Sequence, residues 1–310
     1  MNSPASSKWL ALTFSLLFFS CSGVWAQASQ DTTLGHSENN SSSGNSGNVI
    51  ATFDKALSNK NNWYFSWGYS RQQYAPSDIH VSQPSLGNDF TVRQAAASDF
   101  PSSIADTLSF ADGGPNLTGP QENLRIGRFL NPEQTFAIEF SLDHTKYNTN
   151  TGQTANVTGT INGQPVNSNM VLTDQVFNYQ LHNGLNHIML NAVWLKHLAG
   201  PKKDAGELQW VSKLGAGILL PHADVTIFGN ANQVGPKNVN VCCSSGDWWQ
   251  LNGWTVGGEV GIRYFMFKST FLELTAKAAY GALRGVPVYK GTADQEIWML
   301  EEVMSIGFLF

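Results

Sequence analysis

The sequence predicts an all-β fold, namely a closed eight-stranded antiparallel transmembrane β-barrel with short periplasmic turns and long extracellular loops. Two observations predict it. Apolar and polar residues alternate with a period of two in eight separate stretches, and the connections between these stretches alternate between long and short. Helical periodicity appears over no comparable length. Beyond the N-terminal region, no apolar run is long enough for a membrane-spanning helix.

The N-terminus has the features of a secretory signal peptide. Lys8 precedes an apolar run from Trp9 to Phe19, and small residues then surround a cleavage site at Ala26. The run is too short to span a bilayer as a helix. We therefore expect three segments: a signal peptide over 1–26, a flexible leader rich in Ser, Asn and Gly over 27–60, and an outer-membrane barrel over 61–310.

Eight strands are predicted from the alternation. In the first, which starts at Asn62, Trp63, Phe65 and Trp67 share one face. The other seven are 123–130, 135–147, 185–198, 209–220, 251–264, 269–281 and 296–310. The short connections are 131–134, 199–208 and 265–268, and the long ones are 72–122, 148–184, 221–250 and 282–295. Asn162-Gly163 in the second long connection predicts a tight hairpin turn that extends the third and fourth strands. The order of the connections places both termini on the periplasmic side.

The last strand ends on Phe310, with Ile306 and Phe308 on the same face. This resembles the terminal strand of outer-membrane barrel proteins, whose last aromatic residue is recognised by the barrel assembly machinery. We therefore expect the protein in the outer membrane of a Gram-negative bacterium, among outer-membrane lipids and lipopolysaccharide. A soluble periplasmic β-sandwich is the alternative.

Charged side chains lie on the faces opposite the apolar ones. They are Arg125, Glu139, Asp143, Lys213, Glu259, Arg263, Glu273 and Lys277. Because a charge that faces lipid near the midplane is costly, this parity predicts an ionic network inside the barrel. The interior of an eight-stranded barrel is only wide enough for side chains, so we expect a plugged lumen. Glu302 has the opposite parity and is expected to face outward.

Composition narrows the partners further. The formal net charge of −5 argues against nucleic acid as a partner, because nucleic acid needs clustered basic surface. Beyond the signal peptide, Cys242 and Cys243 are the only cysteines, and they are adjacent, so disulfides do not staple the fold. Their redox state is left open. Trp248 and Trp249 are expected in the outer aromatic girdle or on the third long loop.

Polar residues that could carry chemistry collect at the predicted extracellular rim. The candidate catalytic and metal-binding residues are His144, His222 and Asp224, since His and carboxylate side chains form metal sites and acid–base pairs. The candidate substrate-binding residues are Asp143, Lys146 and Asn186. Polar residues also belong at any barrel rim, and no familiar catalytic motif is present. Whether the chain is an enzyme therefore stays open at this point.

Several segments at this rim occur in the order of a known family. The matching stretches are Gly68-Tyr69 with Ala75-Pro76-Ser77; Phe140 with His144 and Lys146; Gly184-Leu185-Asn186 with Leu190-Asn191-Ala192; and Gly215-Ala216-Gly217 with Pro221-His222 and Val225. In these the chain resembles the rhizobial-type lipid A oxidases, small outer-membrane barrels that oxidise the proximal glucosamine of lipid A to aminogluconate. The resemblance covers about half of the chain beyond the signal peptide. It implies an oxygen-dependent reaction assisted by a divalent cation, although the first two loops are longer here.

Three functional hypotheses follow. The first is an outer-membrane enzyme that modifies lipid A at the extracellular rim. The second is a non-catalytic structural or adhesin-like barrel whose loops bind host surface molecules. The third is a pore, which the charged interior disfavours.

Overall fold

The computed structural model describes residues 62–99, 110–111, 114–115, 121–232 and 249–310. The predicted signal peptide and leader lie outside these ranges. The strands are β1 (Trp63–Tyr74), β2 (Ser77–Gln83), β3 (Asn88–Ala95), β4 (Ala97–Ser98), β5 (Phe110–Ala111), β6 (Gly114–Pro115), β7 (Glu122–Phe129), β8 (Phe136–Thr149), β9 (Thr154–Ile161), β10 (Gln164–Val171), β11 (Phe177–Ala199), β12 (Leu208–Pro221), β13 (Asp224–Ile227), β14 (Asn230–Ala231), β15 (Gly253–Phe267), β16 (Thr270–Val288) and β17 (Gly291–Leu309). A short 3-10 helix, Pro84–Leu86, joins β2 to β3. Within the described ranges, no helix is long and apolar enough to cross a membrane.

All pairs between these strands are antiparallel, which confirms the predicted all-β antiparallel fold. Eight long strands, here called the ring strands, pair in the order β1, β7, β8, β11, β12, β15, β16 and β17. β17 then pairs with β1 along a ladder from Tyr64↔Leu309 to Tyr74↔Met299. Each ring strand therefore has a hydrogen-bonded neighbour on both sides, and no backbone edge of the ring strands is left open along these ladders.

The two ends of the ring strands differ. At one end, here called the turn end, the connections 130–135, 200–207 and 268–269 are short, as predicted. At the other end, here called the loop end, three connections are long. The prediction of a fourth long loop over 282–295 was wrong, because β16 and β17 continue to Val288 and Gly291 and leave only a two-residue turn. Val286, Val288 and Ala293 are buried there, so the strands continue in order to bury apolar side chains.

The outward and inward faces of the ring strands differ in chemistry, as the alternation predicted. Large apolar side chains face outward and remain exposed; Leu190 is 60% exposed and Leu214 is 64% exposed. Near the loop end, Trp254, Tyr280 and Trp298 form a continuous outward row with ring centroids 5.5 and 5.0 Å apart. Exposed apolar surface on this scale is unusual for a soluble monomer and marks a surface that contacts a membrane or another protein.

Strands from the long connections continue the sheet at the loop end. β2 pairs with β17, β3 with β2 and β9 with β3, while β13 pairs with β11. Their inward side chains build an apolar core together with the ring strands; its members include Ile79, Val81, Phe90, Val92, Val157, Phe177, Tyr179, Leu219, Val225 and Leu283. The long connections thus form a packed layer at the loop end.

The turn predicted at Asn162-Gly163 is confirmed. Both residues have positive φ, +51° and +72°, as a tight two-residue hairpin turn requires, and they join β9 to β10. The prediction that this hairpin extends the third and fourth barrel strands was wrong. β9 pairs with β3 instead, because this pairing buries Val157 and Ala155 in the loop-end core.

The inside of the ring strands has three layers. The turn end holds an apolar cluster that includes Tyr64, Phe129, Val211 and Phe271. Charged side chains fill the middle, and the loop-end core lies beyond them. Side chains therefore fill the interior of the ring strands from the turn-end cluster to the loop-end core.

Candidate functional site

The eight charged side chains with inward parity are all buried inside the ring strands, and none is more than 5% exposed. Lys213 lies at the centre of one group, with its Nζ 3.3, 3.1 and 2.8 Å from carboxylate oxygens of Glu139, Glu259 and Glu273. A second group centres on Asp143, which accepts hydrogen bonds from Arg125 and Lys277. Arg125 joins the two groups, because its Nε also lies 3.6 Å from Glu139.

The network extends to the turn-end cluster through Arg263. Its guanidinium pairs with Glu273, with an Nη2 to Oε2 distance of 2.6 Å, and lies over the Phe271 ring at 4.0 Å from the centroid. Tyr64 donates its hydroxyl to Glu139 at 2.8 Å. The buried Arg263 charge is thus offset by the Glu273 carboxylate and by the Phe271 ring, and the buried Glu139 carboxylate by the Tyr64 hydroxyl.

Glu301 is a further member that the sequence analysis missed. It is buried, its Oε2 lies 3.5 Å from Nζ of Lys277, and it accepts hydrogen bonds from Gln72 and Asn123. The signal was present in the sequence, because Glu301 directly precedes Glu302 and so has inward parity. Glu302 itself is exposed on the outward face, as predicted, and its cross-strand partner is Arg71.

The prediction that Asp143 binds substrate at the rim was wrong. Its side chain is fully buried and is occupied by Arg125, Lys277 and Asn123. The inward parity of Asp143 on β8 decides this, because the next residue, His144, is the one that faces outward. Asp143 is therefore a structural member of the network.

A second cluster, here called the rim patch, lies at the loop end; His144 and Trp249 are partly exposed there, whereas Asn186 and His222 are buried. It consists of His144 on β8, Asn186 on β11, and His222 and Trp249 in the connection that follows β12. His144 and Asn186 are cross-strand partners. The rings of His144 and His222 meet the Trp249 ring edge to face, with centroid distances of 6.3 and 6.1 Å. The structure thus brings three of the predicted residues together around a tryptophan that the sequence analysis had assigned to a girdle or a loop.

Hydrogen bonds fix the tautomer of His144. Asn186 donates its Nδ2 to the carbonyl of Leu220 at 3.1 Å, so its Oδ1 faces Nδ1 of His144 at 2.7 Å. An amide oxygen only accepts, and Nδ1 must therefore be the protonated nitrogen. In the neutral ring the lone pair is then on Nε2, which is the form that takes up a proton or binds a metal ion.

Gly184 makes the close packing of the rim patch possible. It lies in the register shift between Leu181 and Leu185, has a φ of +132°, and accepts a hydrogen bond from the His222 backbone at 2.8 Å. A Cβ at this position would come within 2.6 Å of Cε1 of His144. Only glycine fits both this backbone conformation and this contact.

We expect Gly184→Ala to lower the free energy of unfolding by about 1–3 kcal/mol and to move the imidazole resonances of His144. The matched control is Gly152→Ala, because Gly152 also has positive φ, +85°, but has open space where a Cβ would lie. NMR of the His side chains and denaturant unfolding measure the two effects. If both variants leave His144 equally undisturbed, the proposed contact is wrong.

The other predicted site residues do not join the rim patch. Asp224 lies on β13 with an exposed side chain, because the pairing of β13 with the start of β11 leaves alternate residues outside. Lys146 is buried, and its carbonyl accepts the Tyr74 hydroxyl at 2.8 Å. Cys242, Cys243 and Trp248 lie outside the described residues.

The three predicted metal ligands do not form a site on their own. In the part of the chain that the structure describes, no group of three or more His, Cys, Asp or Glu side chains is placed to hold a metal ion. The rim patch contains His144 and His222, but Asp224, the third predicted ligand, lies on β13 outside the patch. The described residues thus do not fit a complete divalent-cation site.

Comparison with known proteins gives no family. No family model and no curated protein matches the chain. Similar solved structures include Ail, the attachment invasion locus protein of Yersinia pestis, in complex with the heparin analogue sucrose octasulfate (11% identity, TM-score 0.29, 80% of this chain and 99% of that chain). They also include OprG from Pseudomonas aeruginosa (9%, 0.34, 81% and 97%) and the outer membrane protease OmpT from Escherichia coli (7%, 0.31, 81% and 97%). Identities and TM-scores this low carry no inference about function.

Proposed function

We propose that the chain is an outer-membrane β-barrel whose eight ring strands span the bilayer, with the turn end in the periplasm and the loop end outside the cell. The observation that carries this proposal is that the polarity is the reverse of that of a water-soluble protein. Large apolar side chains surround the ring on the outside, while the charges are buried and paired on the inside. Such an arrangement is costly in water and favourable in lipid.

Targeting and assembly belong to the same proposal. Residues 1–26 are a cleaved signal peptide that directs the chain through the inner membrane of a Gram-negative cell, and residues 27–60 are a leader that precedes the ring strands in the sequence. The Phe310 backbone is anchored to Trp63 by a hydrogen bond of 2.9 Å, while its side chain stays exposed. The side chain is therefore accessible for recognition by the barrel assembly machinery.

The filled interior supports a function without solute passage. Between the turn-end cluster and the loop-end core, the ion pairs of Arg125, Lys213, Arg263 and Lys277 occupy the space that a channel would need. A pore is the least favoured of the three hypotheses. The rim or the loop-end strands then carry the function.

We propose that the rim patch acts on the lipid A headgroup. On β8 the outward side chains run Phe140, Leu142 and His144, so the patch begins where the apolar surface ends. In an outer membrane, the glucosamine and phosphate groups of lipid A lie at this height. His144, with Nε2 unprotonated, is suited to be the acid–base group, and Asn186 positions it. His222 and Trp249 form the adjoining wall.

The modification that we propose is of the lipid A oxidase type: the hemiacetal carbon of the proximal glucosamine loses two electrons and two protons to dioxygen, which leaves as hydrogen peroxide, and water then opens the resulting lactone to the aminogluconate with a net gain of one oxygen atom. We assign no step to a divalent cation, since the described residues do not provide a complete site for one. Asp224 remains a candidate for contact with the polar part of the substrate, since its side chain is exposed at the loop end, whereas Lys146 is buried.

Lipid A mass spectrometry on a deletion strain and its complemented derivatives tests this function. We expect a gain of one oxygen atom with the wild-type gene and its loss with His144→Ala and His222→Ala. His80→Ala is the control, because His80 is an exposed loop-end histidine paired with Asp89 at 3.0 Å. Identical spectra for wild type and deletion under several growth conditions would exclude lipid A modification.

A surface-binding barrel is the second candidate, and one observation favours it. β10 pairs only with β9 among the described strands, and most of its residues are exposed, among them Asn167, Ser168 and Asn169. An open edge of this kind is where an extended segment of a host surface molecule adds as another strand. Replacing 164–171 by a short turn should then abolish binding to host cells and leave lipid A unchanged. Retained binding would exclude this edge.

A further inference from the structure

A cavity of about 670 Å³ opens at the turn end, inside the ring strands and away from the rim patch. Its volume lies in the range of small-molecule sites. The floor is apolar and consists of Phe129, Leu195, Phe265 and Leu309. The rim is cationic and carries Lys202, Lys203, Lys268 and His197.

The rim is held in place by a buried carboxylate. Glu207 is 2% exposed and accepts hydrogen bonds from the Lys203 backbone, from Gln209 at 3.0 Å and from the His197 ring at 3.0 Å. Burial alone would raise the pKa of Glu207, but these hydrogen bonds outweigh burial and lower it. The 200–207 turn is therefore fixed around an ionised group.

Two further contacts order the mouth of the cavity. Lys203 Nζ donates to the Pro132 carbonyl at 2.8 Å and so ties the 200–207 turn to the 130–135 turn. Lys203 and Gln134 both have left-handed backbones, with φ of +58° and +59°. Each such conformation costs about 1 kcal/mol and is typical of sites under functional constraint.

Two lysines at the rim of the cavity take no part in the contacts of Lys203 and Glu207. Lys202 and Lys268 make no ion pair or hydrogen bond with any described residue, whereas Lys203 and Glu207 are occupied. Glu133 is the remaining carboxylate among the lining residues. The cavity thus combines an apolar floor with a mouth that carries three lysines against two glutamates, one of which, Glu207, is held by the Lys203 backbone and by His197.

We propose that this cavity binds a single-chain amphiphile with an anionic head, a medium-chain fatty acid or alkyl phosphate. The head meets Lys202 and Lys268 at the rim, and the chain lies on the floor formed by Phe129, Leu195, Phe265 and Leu309. Tyr64 and Phe271 close the interior beyond this floor, so the ligand is held and does not pass through. Ligand binding in this cavity depends on the fold of the ring strands but not on lipid A modification at the rim patch. A negative result for either one therefore leaves the other standing.

Isothermal titration calorimetry tests it, with the full chain in phosphatidylcholine nanodiscs and empty nanodiscs as the reference. We expect octanoate to bind at one saturable site. Decanoate should bind about tenfold more tightly and hexanoate about tenfold more weakly, because each buried methylene contributes about 0.8 kcal/mol. Octanol, which lacks the charge, should bind at least about tenfold more weakly than octanoate, as expected for a charged head paired with lysine.

The decisive variant is Lys202→Gln with Lys268→Gln, both at exposed turn positions. It should weaken octanoate binding at least about tenfold, the cost of losing charge-assisted hydrogen bonds. Lys196→Gln is the matched control, because it removes a lysine near the same end but on the outward face, and it should leave affinity unchanged. Octyl phosphate is the second ligand. Whichever of octyl phosphate and octanoate binds more tightly identifies the preferred anionic head, and binding of either supports the proposal. Equal binding by wild type and the double variant, or binding that does not change with chain length, would overturn it.

Discussion

Asp143→Ala is expected to lower the free energy of unfolding by about 3–5 kcal/mol. The carboxylate of Asp143 accepts hydrogen bonds from both Arg125 and Lys277, and all three side chains are buried. The substitution removes the carboxylate that Arg125 and Lys277 share, while both cations stay buried inside the ring strands. Water cannot replace that partner in the filled interior, so the desolvation cost of the cations is no longer offset.

Equilibrium unfolding in guanidinium chloride, with the protein inserted in phosphatidylcholine vesicles and followed by Trp fluorescence, measures this loss. Asp89→Ala is the control, because Asp89 is 68% exposed and pairs with His80 in the solvent-exposed part of the loop-end layer. We expect this control to cost less than about 1 kcal/mol. Equal, small losses for both variants would mean that the interior network is hydrated and does not hold the ring strands together.

Leu214→Arg is expected to cost about 2–4 kcal/mol, because it places a charge in the middle of the outward face. Leu214 lies halfway along β12 and is 64% exposed. In a soluble protein a change at so exposed a position would be nearly neutral. A large loss of unfolding free energy in Leu214→Arg would therefore indicate that lipid surrounds the ring strands.

Leu198→Arg provides the depth control. Leu198 is also exposed and outward, at 48%, but it lies at the turn-end limit of β11, where an arginine can reach the lipid headgroups. We expect a loss of about 0–1 kcal/mol for this variant in the same vesicle assay. Equal losses at Leu198 and Leu214 would contradict a bilayer centred on Leu214.

Much of the ring could be predicted from the sequence, because a membrane-spanning strand imposes a strict period of two. The outward Leu190, Leu214 and Val260 and the inward Lys213 and Glu259 follow from parity alone. Their partners follow less directly, since the register between neighbouring strands depends on long-range contacts. Lys213 meets three carboxylates from three strands, and no local pattern encodes that arrangement.

The loop-end layer could not be predicted for a related physical reason. β9 looks like an extension of the strand before it, yet Val157 and Phe90 drive it to pair with β3 across a long sequence separation. The rim patch was predicted in part. His144, Asn186 and His222 follow from their places at strand ends. Trp249 was expected in the girdle or on the third long loop, and its contacts with the two histidines could not be predicted because they depend on how that loop returns to β15.

Site-directed spin labelling shows whether the ring strands span a lipid bilayer. Single cysteines would replace Leu214, Leu190 and, in the exposed β10, Ser168, with Cys242 and Cys243 changed to Ser and the protein in liposomes. We predict that labels at Leu214 and Leu190 collide freely with dissolved oxygen and hardly at all with a water-soluble nickel chelate, and that the label at Ser168 shows the reverse. Free access of the nickel chelate to a label at Leu214 would mean that this face of the ring strands lies in water and not in lipid.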